Sequence, residues 1–147
     1  MSEMKIMNEK RRESITSLFE IVSSLERKWA NEWNSQNSIG LSKSHIFILD
    51  LLDAEGPLRP STLAEKLHVT SGGVTVLTTK LIKAGYIIKT QNTTDRRASQ
   101  LEITETGHQL LETAHNHITA IVDRMFGMLT EEEIHSLRKI FAKCLLG

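Results

Sequence analysis

The spacing of apolar residues is the feature that most constrains this fold, because its period changes at one place in the chain. Apolar residues recur every three or four positions along most of the sequence, which is the repeat of an amphipathic helix. Residues 86–91 and 99–104 instead are rich in β-preferring side chains or alternate with period two, and residues 92–95 have turn chemistry. The sequence therefore predicts a mainly α fold with one small β-hairpin.

Capping residues indicate where the helices begin and end. The first helix spans about residues 9–33, and the second begins at Ser42 and ends at Gly56. Two short helices joined by a tight turn follow, which predicts a helix-turn-helix. The remaining predicted caps are Ser61 or Thr62 (Thr62 in a capping box with Glu65), Thr70 or Ser71, Thr104, and Thr130 in a capping box with Glu133.

Length and composition exclude several classes of protein. A chain of 147 residues with 39% hydrophobic residues is one domain that can bury a core without disulfide staples. No apolar run approaches about 18 residues, so no transmembrane helix is predicted. The first residues lack the apolar stretch of a signal peptide, so we expect the cytoplasm. The single cysteine, Cys144, excludes an internal disulfide framework and a cysteine-rich zinc site.

The formal net charge is zero, but the charges are segregated along the chain. Residues 59–97 hold seven cations and two anions, a net of five positive charges. The first fifty-eight residues have a net charge of minus two, and the fifty residues after Arg97 have a net charge of minus three. The helix-turn-helix and the hairpin are therefore basic. A local positive field of this kind is typical of a surface that meets DNA phosphates.

Two segments of the chain contain motifs that are specific in combination. The helix-turn-helix segment reads Leu58-Arg59-Pro60-Ser61-Thr62-Leu63-Ala64-Glu65-Lys66-Leu67-His68-Val69-Thr70-Ser71-Gly72-Gly73-Val74-Thr75. The hairpin and the following helix start read Gly85-Tyr86-Ile87, then Asp95-Arg96-Arg97, then Leu101-x-Ile103-Thr104-x-x-Gly107. Together they resemble the helix-turn-helix and the wing of the MarR family of bacterial regulators. The resemblance covers about residues 41–107, and outside it only the long helices correspond.

This resemblance implies a winged helix-turn-helix in a single domain over residues 1–147. Residues 41–107 would form the DNA-binding lobe, and residues 1–40 and 108–147 would form dimerisation helices. The protein would bind a pseudo-palindromic operator in double-stranded DNA as a homodimer, most often as a repressor that a small ligand or an oxidant releases. Such a regulator acts in the bacterial cytoplasm at the nucleoid, and no cofactor or membrane contact is expected.

The second short helix is the predicted recognition helix. If Val74, Leu77 and Leu81 face the core, the opposite face presents Gly72, Thr75, Val76, Thr79 and Lys83. Threonine pairs with several base edges and packs against thymine methyl groups, and Ser71 suits a phosphate or base contact at the helix start. By resemblance, Arg97 enters the minor groove with Arg96 beside it. Arg59, Ser61 and Thr62 are predicted phosphate contacts, which fix register but not sequence.

Val76 departs from the family pattern. Many relatives have arginine directly after the threonine, where a guanidinium can contact guanine through two hydrogen bonds. Val76 has no polar side-chain atom, so it either touches a thymine methyl group or packs internally. A preference for A·T-rich sites would follow from the first alternative.

Apolar residues near the C-terminus are the predicted dimer contacts. They are Met125, Phe126, Met128, Leu129, Phe141, Leu145 and Leu146. By resemblance, an effector pocket lies between the dimer helices and the DNA-binding lobe. Trp29, Trp33, His45 and Phe47 are its candidate lining, and aromatic side chains suit an aromatic acid or phenol.

Several alternative functions were weighed against this prediction. The sequence contains no P-loop, dinucleotide fingerprint, zinc-protease motif or nucleophile elbow, so we do not expect an enzyme. Cys144 lies at the wrong end for the family's peroxide sensors. Zinc sensing through His108, His115, His117 and His135 is disfavoured, because His115 and His117 lie on different helix faces. A protein-interaction winged helix would lack the basic wing, whereas a constitutive DNA binder without a ligand stays open.

Overall fold

The computed structural model describes residues 2–35, 39–91, 94 and 98–147. These residues form six helices and one two-stranded antiparallel sheet. The elements in chain order are α1 (Ser2–Ser35), α2 (Lys43–Glu55), α3 (Pro60–Leu67), α4 (Ser71–Lys83), β1 (Ile87–Gln91), β2 (Ser99–Ile103), α5 (Glu105–Phe126) and α6 (Glu131–Leu146). The prediction of a mainly α chain with one hairpin is confirmed.

The chain divides into two compact units. One consists of Met1–Asn37 with Ala120–Gly147, and the other is Ser38–Thr119. In the second unit α2 packs against α4 and β2, and α3 packs against α4 and β2. Its buried apolar residues are Leu41, Ile46, Ile48, Leu49, Leu52, Leu63, Val74, Leu81, Ile87, Leu101, Leu111 and Ala114. This core fixes the two helices of the helix-turn-helix and the base of the hairpin on one scaffold.

Four of the predicted helix starts are confirmed by their capping hydrogen bonds. The Ser42 hydroxyl caps α2, and the hydroxyl of Thr70 accepts a hydrogen bond from the Gly73 backbone N–H at the start of α4. The Thr104 hydroxyl accepts from the Gly107 N–H, and Thr130 with Glu133 forms the predicted capping box of α6. Each of these bonds satisfies a backbone donor that a helix start would otherwise leave without a partner.

The predicted cap of α3 is wrong. Arg59 is the N-cap residue, Pro60 is the first helical residue, and no side chain caps the helix. A proline disfavours helical backbone in the residue before it and has no N–H to be capped, so the helix begins there without Ser61 or Thr62. The α3 helix ends at Leu67, and its C-cap residue, His68, adopts the left-handed conformation with φ of 55°.

The hairpin is joined by a third extended segment that the sequence analysis missed. Strands β1 and β2 pair from Ile87 opposite Ile103 to Gln91 opposite Ser99. Leu58 forms an isolated bridge with Leu101, in which each backbone N–H donates to the other residue's carbonyl, at 3.0 and 2.8 Å. The signal was the proline after Arg59, which favours extended backbone just before α3. This bridge ties the hairpin to the helix-turn-helix.

The junction between the hairpin and α5 leaves no space for a larger residue at Gly107. A Cβ built on Gly107 would overlap the Tyr86 carbonyl oxygen and would lie 2.7 Å from Cγ1 of Ile103. Thr104 donates its hydroxyl hydrogen to the Gly85 carbonyl at 2.7 Å and its backbone N–H to the Tyr86 carbonyl at 3.0 Å. These contacts hold the start of α5 against the base of β1.

The unit formed by Met1–Asn37 and Ala120–Gly147 buries little of its apolar surface. Trp33 and Ile121 are buried, whereas many apolar residues of α1 and α6 are exposed. Arg124 of α5 donates two hydrogen bonds to Glu32 Oε2 of α1, at 2.8 and 3.2 Å. The predicted first helix is present, but its apolar residues Ile15, Leu18 and Phe19 are exposed in a single chain. Within the described residues, every helix is too short or too polar to cross a membrane.

Candidate nucleic-acid interface

The core-facing side of α4 differs from the predicted one at one position. Val74 and Leu81 are buried as predicted, but Leu77 is only half-buried and Thr78 is buried beside them. The hydroxyl of Thr78 donates to the Val74 carbonyl oxygen at 2.9 Å, so its polar group is satisfied within the helix. A threonine that bonds to the carbonyl four residues earlier tolerates burial, which the apolar repeat alone did not indicate.

The predicted outward face of α4 is exposed in full. Gly72, Thr75, Val76, Thr79 and Lys83 are all exposed, and Ser71 at the helix start is exposed as well. Val76 has 72% of its surface accessible, which excludes internal packing of its side chain. The face extends over three turns of a helix whose other side is held by the core. It has the size of an element that enters a major groove.

The two outward threonines share a feature that the sequence analysis missed. Thr75 donates its hydroxyl hydrogen to the Ser71 carbonyl at 3.0 Å, and Thr79 donates its own to the Thr75 carbonyl at 2.6 Å. Each hydroxyl oxygen keeps lone pairs that can accept hydrogen bonds. The signal was the run of threonines at helix-interior positions, where bonding to the preceding turn is common.

The basic residues of this unit differ in how they are held. Lys66 forms an ion pair with Glu55 at 3.1 Å, and Lys80 donates to the Gly40 carbonyl oxygen at 2.8 Å. Arg59, Lys83 and Lys89 have exposed side chains. Lys66 and Lys80 are exposed as well, but each has a partner within the protein that competes with DNA phosphates for its charge.

The remaining predicted contacts lie at the start of α3 and on the hairpin. Arg59 and Ser61 are exposed, and Thr62 is half-buried. Arg96 and Arg97 lie outside the described residues. Their predicted DNA contacts rest on their position in the sequence, between Gln91 at the end of β1 and Ser99 at the start of β2.

The candidate effector residues differ widely in exposure. Trp33 is 2% exposed, Trp29 is half-buried, and Phe47 is 46% exposed. His45 is 8% exposed, and its Nδ1 accepts a hydrogen bond from the Ser42 backbone N–H at 3.0 Å. His45 is therefore part of the capping box that begins α2. Burial lowers the pKa of His45 below its usual 6.5, and the positive charge of Lys80 lowers it further.

Two of the histidines considered for zinc form pairs with aspartates in the unit Ser38–Thr119. His108 Nδ1 lies 2.7 Å from Asp53 Oδ1, and His115 Nε2 lies 2.6 Å from Asp50 Oδ1. Both pairs connect α5 to α2 and are half-exposed. Among the described residues, no three histidine, cysteine or carboxylate side chains come together as a metal site.

Similarity to known proteins follows the same architecture. The family model described as MarR family matches residues 41–99. The chain is 33% identical over 109 residues to the HTH-type transcriptional repressor MdtR of Bacillus subtilis strain 168, covering 74% of this chain and 70% of that protein. The structure is similar to that of YusO from Bacillus subtilis, with a TM-score of 0.71, 27% identity, and coverage of 95% and 97% of the two chains.

A further solved structure has the same fold at lower identity. It is a cysteine-to-serine mutant of MarR from E. coli complexed with operator DNA, with a TM-score of 0.76, 19% identity, and coverage of 90% of this chain and 96% of that one. The family-model match over α2, α3, α4 and β1, together with the relative that is 33% identical over 74% of this chain, gives the classification. The chain belongs to the MarR family of winged helix-turn-helix transcriptional regulators.

Proposed function

We propose that this protein is a transcriptional repressor that binds a pseudo-palindromic operator as a homodimer. The observation that carries the proposal is the exposed outward face of α4, from Ser71 to Lys83, held by a buried core on its other side. A recognition helix must expose side chains for base edges while its other side stays packed. In α4 one face is exposed and the opposite side is buried in the core. The repressor role is supported by the name of the relative that is 33% identical.

The proposed homodimer is supported by the apolar surface of the unit that contains α1 and α6. A groove of about 380 Å³ lies between α5 and α6, with Phe126, Leu137 and Phe141 in its wall. Leu145 and Leu146 are 87% and 91% exposed at the end of α6. Apolar patches of this kind on a single chain are typical of subunit contacts. A second copy would also place two recognition helices on one duplex, about 34 Å apart.

The proposed wing contact rests on Arg96 and Arg97, which lie between β1 and β2 in the sequence. Narrow, A·T-rich minor grooves concentrate negative potential and attract an inserted guanidinium group. Arg59, Ser61 and Thr62 would hold phosphates on the same side as α4 and fix the register. Such a protein would act on the chromosome, at the nucleoid of a bacterial cytoplasm.

Release by a small effector is proposed from the family alone, with Trp29, Trp33, His45 and Phe47 as candidate contacts. The aromatic side chains suit an aromatic acid or a phenol. His45 already serves as an acceptor for the Ser42 N–H, so a ligand would meet the other edge of its ring. Loss of operator affinity on adding candidate phenols, measured at fixed salt, would distinguish this regulator from a constitutive binder.

Selection of bound sequences from random DNA duplexes tests the central proposal. The purified protein is expected to enrich an inverted repeat whose half-sites are centred about one helical turn apart. A single unrepeated motif would contradict the dimeric mode of binding. Failure to enrich any sequence would contradict DNA recognition itself.

Arg97→Ala tests the wing within the same assay. We expect weaker operator binding and a plot of log affinity against log salt that is shallower by about one unit for each wing that loses its contact. Arg12→Ala, which removes the same charge from an exposed position of α1, is the matched control and should leave the slope unchanged. An unchanged slope in Arg97→Ala would exclude this arginine from the contact with DNA.

A further inference from the structure

The middle of the recognition face offers DNA almost no hydrogen-bond donors. Gly72, Thr75, Val76 and Thr79 are spaced so that they share one face of α4. Gly72 has no side chain, Val76 has no polar atom, and both threonines donate their hydroxyl hydrogens to carbonyl oxygens of the preceding turn. This face therefore presents the methyl groups of Val76 and the hydroxyl oxygens of the two threonines, whose lone pairs can accept hydrogen bonds.

Base edges in the major groove differ in what they accept from such a face. Guanine presents only acceptors, N7 and O6, which need donors from the protein. Thymine presents its 5-methyl group, and adenine presents an amino group that can donate to a threonine oxygen. A face of methyl groups and acceptors therefore matches an A·T pair at both of its bases, whereas in a G·C pair only the cytosine amino group finds an acceptor and guanine is left without a partner.

The shape of the helix surface adds a place for a thymine methyl group. Gly72 lies one turn before Val76 and three residues before Thr75, so its missing side chain leaves a notch beside both. A Cβ built on Gly72 would meet only Thr70 Oγ1 within 4 Å, at 3.9 Å, so the notch is open to the outside. Val76, 72% exposed, lies one turn further along the same face of the helix.

We propose that Val76 contacts the 5-methyl group of a thymine in each operator half-site, and that this methyl group lies in the space left by the missing side chain of Gly72. The inference rests on the proposed function, in which α4 enters the major groove. It makes Val76 a specificity-determining residue, and it predicts A·T pairs in the middle of each half-site.

Replacing single thymines of the selected operator by deoxyuridine removes only the 5-methyl group and tests the proposal. Burial of one methyl group contributes about 0.8 kcal/mol, which corresponds to about a fourfold change in affinity. At the thymine read by Val76 we expect binding to weaken about fourfold for one half-site and about fifteenfold for both. Other thymines outside the contact should tolerate the change.

Two variants separate Val76 from the rest of the interface. Val76→Ala should bind the thymine and uracil duplexes with equal affinity at that one position. Lys83→Ala should weaken both duplexes alike and keep their ratio, because a lysine contact to phosphate does not distinguish the bases. Thermal unfolding of each variant checks its fold, which an exposed residue is not expected to disturb.

The outcomes distinguish the inference from the function on which it rests. If the parent protein selects an operator but binds its thymine and uracil forms equally, methyl recognition is wrong while DNA recognition stands. If the thymine preference persists in Val76→Ala, another residue reads the methyl group and the assignment is wrong. If no operator is selected, the proposed function has failed first.

Discussion

Each residue of α4 contributes either to the core or to the outward face, and the adjacent residues Thr78 and Thr79 lie on opposite sides of this division. Thr78 is buried and donates to the Val74 carbonyl, whereas the neighbouring Thr79 is exposed and donates to the Thr75 carbonyl. Both hydroxyl hydrogens are satisfied within the helix, so the threonine side chain is tolerated at a buried position as well as at an exposed one.

Gly72→Ala should separate the stability of the fold from DNA recognition. Alanine favours a helix over glycine by up to about 1 kcal/mol, and a Cβ at this position has open space, so the free energy of unfolding should rise. Affinity for the operator should fall, because the added methyl group fills the space beside Val76. Urea denaturation and fluorescence anisotropy on a labelled duplex measure the two effects.

The matched control for this glycine is Asn31→Ala on the exposed surface of α1. It also raises helix propensity, but it should leave operator affinity as it is. Unchanged or tighter operator binding by Gly72→Ala would show that DNA does not approach the start of α4 closely.

At the scale of elements, the sequence predicts types and most boundaries, because caps and apolar periods are local signals. Ser42, Thr70 and Thr130 mark helix starts where the structure has them. The start of α3 and the Leu58 bridge were missed, since a proline and a partner forty-three residues away in sequence decide them. At Leu58 the extended backbone is decided by pairing with a distant strand and not by the preferences of the neighbouring residues.

The candidate site shows the same division. The outward positions of α4 follow from helical spacing, and exposure confirms all five of them. The hydroxyl bonds of Thr75 and Thr79 do not follow from spacing, because a side-chain torsion decides whether the hydroxyl turns towards the helix. The role of His45 in the α2 capping box was also missed, since glutamate or glutamine is the usual residue there.

The start of α2 should make stability depend on pH through His45. Its pKa in the folded protein lies below the ordinary 6.5, so the unfolded chain binds more protons near that pH. The contribution to stability is therefore complete above about pH 6.5 and is lost as the pH falls from there towards the folded pKa. Protonation would also remove the Nδ1 acceptor of the Ser42 N–H.

His45→Gln tests this dependence by urea denaturation at about pH 7.5 and about pH 5.5. Glutamine can still accept from the Ser42 N–H but does not titrate. The parent should lose more stability on acidification than this variant does, while His135→Gln, at an exposed position of α6, should behave like the parent. Equal losses in the parent and in His45→Gln would assign the pH dependence to other groups.

At the scale of the molecule, charge and apolar surface are divided between different parts of the chain. The net charge of plus five over residues 59–97 lies on the unit that carries α4 and the hairpin. The exposed apolar residues of α6 lie on the other unit. One part thus suits a polyanion and the other suits a second copy of the chain, so a loss of pairing should appear as a loss of operator affinity although no DNA contact is touched.

Phe141→Glu tests this dependence on pairing. Phe141 is 44% exposed at the apolar groove between α5 and α6, so the folded chain tolerates the change but a buried subunit contact would enclose an unpaired carboxylate. Sedimentation should show a shift towards the 16.6 kDa monomer. Operator affinity should fall towards the non-specific level, about a thousandfold or more, while binding to a single half-site changes little.

Lys143→Glu adds the same carboxylate at an exposed position of the same helix and should keep the dimer. A dimeric Phe141→Glu would place the subunit contact elsewhere, and a monomer with full operator affinity would contradict the coupling between pairing and recognition.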